Sequence, residues 1–576
     1  MKTKLFLMCV MAASAAYSGA AMPTEAEVEK AVPKVERMLA SEKVALASGK
    51  MTRAEVAAAA MKLAAGADDE AAKLLLMKGA FILHVKDGDL EKAVKTMNAL
   101  ETAIADMPPK AVTNIIETAL LGLPNKAANG ARLYRLLDES KATAKRTVAD
   151  GENLKAVVDG YTWSYRVKNG EAEIVAEKDG KFSCAVSPTP IGSISIPSTL
   201  GGARVTSIGQ EAFRDCKELK MVTIPQSVTN IGVLAFYSCD IETVNIPASV
   251  TNIGTQAFSD NSELMSFSVD ESNPSYSSRN GLLCTKDGTT LISGTSGDVE
   301  IPPNVTSIEG WAFTGRRKLT SVTIPPSVTN IGRTAFRWCS GLKAITIPPA
   351  VTRLDSNVFR DCSGLTSVVI PSNVTSIGWC AFWKCSGLKS VTIPSSVTII
   401  GGNAFGCCGK LKSVSIPEGV TSIGREAFRW CRALESVSIP SNLKVLEHGV
   451  FASTGLKSVT IPTNVTSIGR GAVAGCIGLT EVTISDSVTN IGIDAFRGSG
   501  RVKSVTIPSS VRSISDHAFA VCGELTTVTM LGERPTAPNN IFQDCPRLTS
   551  IHVPVNAKSW AGMKEWQGIP LVFDAK

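Results

Sequence analysis

The sequence predicts an α/β solenoid with a parallel sheet, preceded by an all-α helical domain, and three observations predict it. From Ile301 to Pro440 one 23-residue sentence recurs: Leu319 to Gly341 reads LTSVTIPPSVTNIGRTAFRWCSG, and Leu342 begins it again. The Ile of each Ile-Pro pair falls at Ile301, Ile324, Ile347, Ile370, Ile393, Ile416 and Ile439. A fixed period in this range marks units that bury their apolar side only against their neighbours. Within each unit, apolar alternation ends at a Pro, which cannot donate to a ladder and so stops the strand. Before residue 150 the composition is instead rich in Ala, Lys, Glu and Leu at helical spacing.

Taken in order, residues 1–20 read as a signal peptide. Lys2 and Lys4 give a basic start, Leu5 to Ala16 an apolar core, and Ala13-Ser14-Ala15 or Ser18-Gly19-Ala20 a small-residue cleavage site. The apolar run is well short of the roughly 20 residues a membrane span needs, and no later stretch looks transmembrane. Residues 21–150 form the helical domain, with Val28, Val32, Val35 and Leu39 on one face and Leu74 to Val85 apolar enough for a buried helix. His84 in that run reads as a core histidine. Residues 151–190 form a β-meander that caps the array. Tyr161, Trp163, Tyr165 and Val167 alternate with polar residues, Asn169-Gly170 supplies a type I′ turn, and Ala172 and Ile174 return.

Residues 191–555 form the solenoid. Counting positions homologous to the Ile of Ile-Pro gives 16 rungs, adding Ile196, Ile224, Ile246, Val269, Ile461, Ile484, Ile507, Met530 and Val553 to the seven above. In one rung the inward set is Leu319, Val322 and Ile324 from the strand, Val328 and Ile331 from the next turn, and Ala335, Phe336 and Cys339 from a helical corner. Gly332 and its equivalents suit a tight bend or close packing. The period breaks between Val269 and Ile301, where residues 270–300 hold an irregular rung and Asn280 to Ser293 reads as a hairpin turning at Asp287-Gly288. Residues 556–576 form a C-terminal cap, with Trp560, Met563 and Trp566 at helical spacing.

The sentence VTSIGREAFRWCRALESVSIP, from Val420 to Pro440, resembles the BspA-type leucine-rich repeat, and the resemblance covers about residues 190 to 555. It implies a curved right-handed solenoid, a parallel sheet on one side and short helical turns on the other. It also implies an exported or surface protein tied to adhesion and to host or matrix binding.

Several chemistries are excluded or disfavoured. The net charge of +7 is small for 576 residues and is not gathered into a block, so no nucleic-acid partner is implied. Ten of the 15 cysteines share one rung place: Cys216, Cys239, Cys339, Cys362, Cys385, Cys408, Cys431, Cys476, Cys522 and Cys545. Identical places all point into the core, so these read as buried small hydrophobes rather than a metal site or a disulfide framework. Cys380 and Cys407, outside the ladder on adjacent rungs, are the candidates for a surface disulfide. His84, His448, His517 and His552 are scattered, and no HExxH, GxSxG or phosphate-loop spacing is present. The chain is therefore read as no enzyme, with no cofactor.

Two surfaces remain. The outward strand positions are hydroxyls, as at Ser321 and Thr323, Ser390 and Thr392, Ser458 and Thr460, and Ser504 and Thr506. The stronger candidate is aromatic. Five of the eight Trp, at Trp311, Trp338, Trp379, Trp383 and Trp430, flank the buried Ala-Phe pair of the corner. Arg333, Arg337, Arg360, Arg425 and Arg429 accompany them, and Trp and Arg are the types most enriched at binding hot spots. The expected function is an exported, non-catalytic binding scaffold, secreted, periplasmic or at the cell surface, that adheres to or recognises extracellular protein or glycan. A carbohydrate-capture accessory protein and a structural spacer are the alternatives.

Overall fold

The structure, a computed structural model, describes residues 152–176 and 184–574 and ten positions at 57, 60, 80, 81, 84, 92, 93 and 95–97. The signal-peptide segment and nearly all of 21–150 lie outside the described residues. The ten positions are helical, and among the described residues an all-α domain is not supported. The described residues divide into two compact units.

In the first unit, β1 (Asn153–Val158), β2 (Tyr161–Lys168) and β3 (Glu171–Ile174) pair antiparallel in sequence order. Asp159-Gly160 and Asn169-Gly170 join them, and all four residues have positive φ. That is the backbone a two-residue type I′ turn demands, and its twist matches the strands it joins. Trp163, Ala172 and Ile174 are buried on one side of this meander.

The second unit is a β-solenoid; the chain has about seventeen turns. Two kinds of parallel ladder run along it. One is built from the strands before Ile-Pro, in register 23 residues apart, as in Ala344↔Ser367 and Ile345↔Val368. The other is built from two-residue strands at the following turn, as in Arg353↔Ser376 and Leu354↔Ile377. Leu319, Val328, Ile331, Ala335, Phe336 and Cys339 are buried as the repeat predicts, while Val322 and Ile324 are half-buried against the same core. The corner phenylalanines form a continuous stack from Phe313 to Phe451, with ring centroids 4.8–5.6 Å apart.

The corner differs from expectation. The sequence predicts a helical corner, and the structure places two left-handed residues in it instead. Thr334 and Trp338 have φ of 64° and 62°, Cys380 and Lys384 of 54° and 59°, Glu426 and Trp430 of 58° and 60°. Left-handed residues so closely spaced cannot sit in a right-handed helix. Corner N–H groups therefore turn to the next rung: Thr334, Phe336 and Trp338 donate to the carbonyls of Ser356, Val358 and Arg360 at 2.9–3.1 Å. The corner is thus hydrogen-bonded between rungs, as a sheet is, and the architecture is a β-solenoid rather than an α/β one.

Gly332 is set by close approach rather than by a bend, since a Cβ there would lie 2.5 Å from the Gly310 backbone nitrogen. The irregular rung contains the antiparallel strands Tyr276–Arg279, Leu282–Thr285 and Thr290–Ser293. At the C-terminus the helical spacing of Trp560, Met563 and Trp566 yields no α-helix. Lys558–Trp560 is a single 3₁₀ turn, and Glu565–Trp566 pairs antiparallel with Ile569–Asp574. Ile569–Asp574 also adds in parallel to Ser550–Pro554, placing Phe573 beside Val553 as one more rung than the sixteen counted. This last strand carries its Ile569-Pro570 at its start rather than at the rung's place beside Val553, so the repeat pattern does not flag it.

Candidate binding face

The corner segment Gly-x-x-Ala-Phe-x-x-Cys positions the candidate residues. Ala and Phe point inward and the Cys closes the corner; the place before the Ala-Phe pair is buried at Thr334, Asn357 and Cys380, and the candidate Trp and Arg, Trp311 apart, occupy the other places. Trp379 and Trp430 are exposed, at 49% and 40%, whereas Trp311, Trp338 and Trp383 are half-buried rather than exposed as the pattern predicts. Arg333 and Arg425 are exposed, and Arg337, Arg360 and Arg429 are half-buried.

Three of the five rings lie under cations, the exposed Trp430 among them. Arg337 lies over the Trp338 ring at 3.8 Å, Arg360 over Trp383 at 4.3 Å and Arg429 over Trp430 at 4.1 Å. Lys384 sits on Trp383 as well, at 4.2 Å. Each cation is attracted by the negative face of its ring. The structure therefore brings together six of the ten candidates as three cation–ring pairs: Trp338, Trp383, Trp430, Arg337, Arg360 and Arg429. Trp311, Trp379, Arg333 and Arg425 are on the earlier half of the corner; Arg425 comes within 3.9 Å of Glu447.

The rung between Trp383 and Trp430 has a feature the Trp and Arg census misses. Its corner reads Gly402-Asn403-Ala404-Phe405-Gly406-Cys407, so two outward places carry no side chain. Trp379 lies over the first and Trp383 over the second, since a Cβ on Gly402 or Gly406 would come within 3.2 Å or 3.0 Å of their rings. The result is a shallow step bordered by indole faces and guanidinium groups. Burial, then the Arg360 charge, lowers the Arg337 pKa from its ordinary value. Its buried Nε has no hydrogen-bond partner in the protein, which leaves a donor aimed at nothing. A surface hollow of about 540 Å³ near Arg512, Leu531 and Arg534 contains no Trp and lies at the other end of the repeat sequence.

The cysteines carry chemistry the sequence did not show. Each ladder thiol after Cys216 donates to the carbonyl of the Phe one rung earlier: Cys339 to Phe313 at 3.1 Å, Cys362 to Phe336 at 3.0 Å, Cys385 to Phe359 at 3.1 Å and Cys431 to Phe405 at 3.1 Å. Burial pushes the thiols of Cys362, Cys385, Cys408 and Cys431 upward, away from thiolate. At two places that are not Cys, another donor serves. Asn261 Nδ2 reaches the Phe236 carbonyl at 2.8 Å. Arg316, fully buried, donates to the carbonyls of Phe258, Gly294 and Asn261 and to Ser293 at 2.9–3.2 Å. Burial lowers its pKa to about 10, so it remains a cation at neutral pH. A missing Cys at this place, right after the irregular rung, was the sequence signal for it. Cys380 and Cys407 are not bonded to each other; they occupy opposite ends of their corners, and burial pushes Cys380 to about 11.

Among the described residues no group of three His, Cys, Asp or Glu side chains could hold a metal, and no helix is long and apolar enough to cross a membrane. Fold and face together define a class, a repeat β-solenoid that presents its side-chain chemistry on rung corners. The chain belongs to the BspA type leucine rich repeat family, whose region, in six copies, matches residues 184–280, 295–405, 353–480 and 468–562. Among solved structures it is similar to a leucine-rich repeat protein from Bacteroides ovatus, at 23% identity over 75% of this chain and 100% of that one, with a TM-score of 0.43. It is similar also to a leucine rich cell surface protein from Faecalibacterium prausnitzii, at 25% identity over 72% and 97% of the two chains, with a TM-score of 0.38. No curated protein matches the chain.

Proposed function

We propose that the protein is an exported, non-catalytic binding scaffold that recognises extracellular protein or glycan through the corner face from Arg337 to Trp430. The observation that carries this reading is the row of three indoles, each under a cation at 3.8–4.3 Å, bordering a step made by Gly402 and Gly406. Flat indole faces stack on sugar rings or aromatic side chains, and the guanidinium edges offer N–H groups to carboxylate or carbonyl acceptors. Family membership supports an exterior location, and the signal-like start of the sequence agrees with it.

The same cation–ring pairs favour a second reading, a structural spacer, because each ring already has one face covered by its own rung. A glycan array beside a pull-down of extracellular matrix and host-cell proteins separates the readings. The array and pull-down compare the wild-type chain with a Trp338→Ala, Trp383→Ala, Trp430→Ala variant. Loss of a wild-type ligand by tenfold or more in the triple variant supports the face. A ligand bound equally by both chains retires it, and a wild-type chain that captures nothing in either format leaves the spacer reading.

A further inference from the structure

The N-terminal end of the thiol ladder is unlike the rest. Every later ladder thiol has a Phe carbonyl one rung earlier to donate to, and Cys239 already uses the Phe213 carbonyl, at 2.9 Å. Cys216 stands in the first corner of the series, and its sulfur lies 2.8 Å from the sulfur of Cys184. Non-bonded carbons already meet at about 3.5–4.0 Å, and sulfur is the larger atom. A gap of 2.8 Å is therefore inside non-bonded contact and on the way to a bond. Cys184 is half-buried and open to a reagent, whereas Cys216 is buried. Both residues belong to the same compact unit.

We propose that Cys184 and Cys216 form a disulfide when the protein matures in an oxidising compartment, a covalent staple at the N-terminal end of the ladder. The reaction is thiol–disulfide exchange with a small or protein disulfide as oxidant. The Cys184 thiolate attacks one sulfur of the donor, forming a mixed disulfide and expelling the first donor thiolate. The Cys216 sulfur then attacks Cys184 Sγ, the mixed bond breaks and the second donor thiolate leaves. Two electrons pass to the donor, and the two protons lost by Cys184 and Cys216 end on its thiols. The remaining ladder cysteines other than the half-buried Cys545 stay reduced, because their sulfurs are buried beyond reach of a donor and occupied by Phe carbonyls. This staple is independent of the binding reading, although oxidising surroundings are what export would provide.

The test uses the full chain secreted into an oxidising compartment, denatured in N-ethylmaleimide and digested with trypsin without reduction. The expected product is peptide Phe182–Arg204 joined to peptide Asp215–Lys217, two hydrogens lighter than their sum. The Cys184→Ser variant should lack it, with Cys216 now carrying maleimide. Reductant should lower the wild-type melting temperature by several degrees and leave that of the variant unmoved. Both peptides carrying maleimide after incubation of the native chain with oxidised glutathione would overturn the proposal, as would Cys216 joined to Cys239.

Discussion

At the scale of single residues, the stacked cysteines solve a problem created by the stacked phenylalanines. Each Phe carbonyl is buried beside the next rung, and a buried acceptor left unpaired costs about 1–3 kcal/mol. A thiol is small enough to share the core with the ring and still donates, weakly, to that carbonyl. Cys385→Ala should therefore cost about 1–3 kcal/mol by denaturant unfolding, from the unpaired Phe359 carbonyl rather than from lost volume. Thiol reagents should label Cys385 and Cys431 slowly in the native protein and rapidly in denaturant, since neither is exposed and burial disfavours the reactive thiolate. Fast native labelling would show the assignment to be wrong. Arg316 answers the same need where the irregular rung interrupts the ladder. Arg316→Ala leaves several carbonyls without a donor and empties the place, so a loss of about 3–5 kcal/mol is expected. Unfolding midpoints of the two chains measure it.

At the scale of the element, the corner is the unit that both packs and presents. A bulky residue in the left-handed region is strained by roughly 1–2 kcal/mol. Trp338 and Trp430 nevertheless sit there, and stacked arginines offset part of that strain. Two substitutions distinguish presenting from packing. Phe382 is fully buried between Phe359 and Phe405, and Phe382→Ala should cost about 3–5 kcal/mol as a core cavity. The Trp338, Trp383, Trp430 triple-alanine variant should keep a melting temperature near that of wild type, because the rings lie outside the core. A loss as large as that of Phe382→Ala, read by calorimetry, would mean the indoles are structural. Gly332→Ala probes the stacking distance itself. The added methyl meets backbone of the neighbouring rung, which cannot rotate away, so destabilisation of about 1–3 kcal/mol is expected.

At the scale of the molecule, the solenoid unit is held by contacts between consecutive rungs, so its stability is a sum of rung and interface contributions. Removing one whole period, residues 342–364, brings Leu365 to the place of Leu342 and restores every register pair and the phenylalanine stack. That deletion should fold cooperatively, with circular dichroism of the wild-type form and a melting temperature lowered by a few degrees. Removing 12 residues from the same rung moves inward side chains outward and should give a chain that does not fold cooperatively.

The sequence by itself determined the period, the inward positions, the Pro that ends each strand and the family. Each of these is a local choice repeated many times, so one chain carries its own internal alignment. It did not determine the corner backbone. Ala-Phe spaced with Cys looks helical, and a left-handed residue of Thr, Trp or Cys type leaves no mark in composition. Nor did it determine which Trp would be covered, because that depends on an Arg beside it and on side-chain-free places such as Gly406 one rung later. The pairing of Cys184 with Cys216, the buried charge of Arg316 and the added rung at Phe573 were decided only in three dimensions. In each of these the partner lies one or more rungs away, outside the repeat's own grammar, and only stacking the rungs brings the two together.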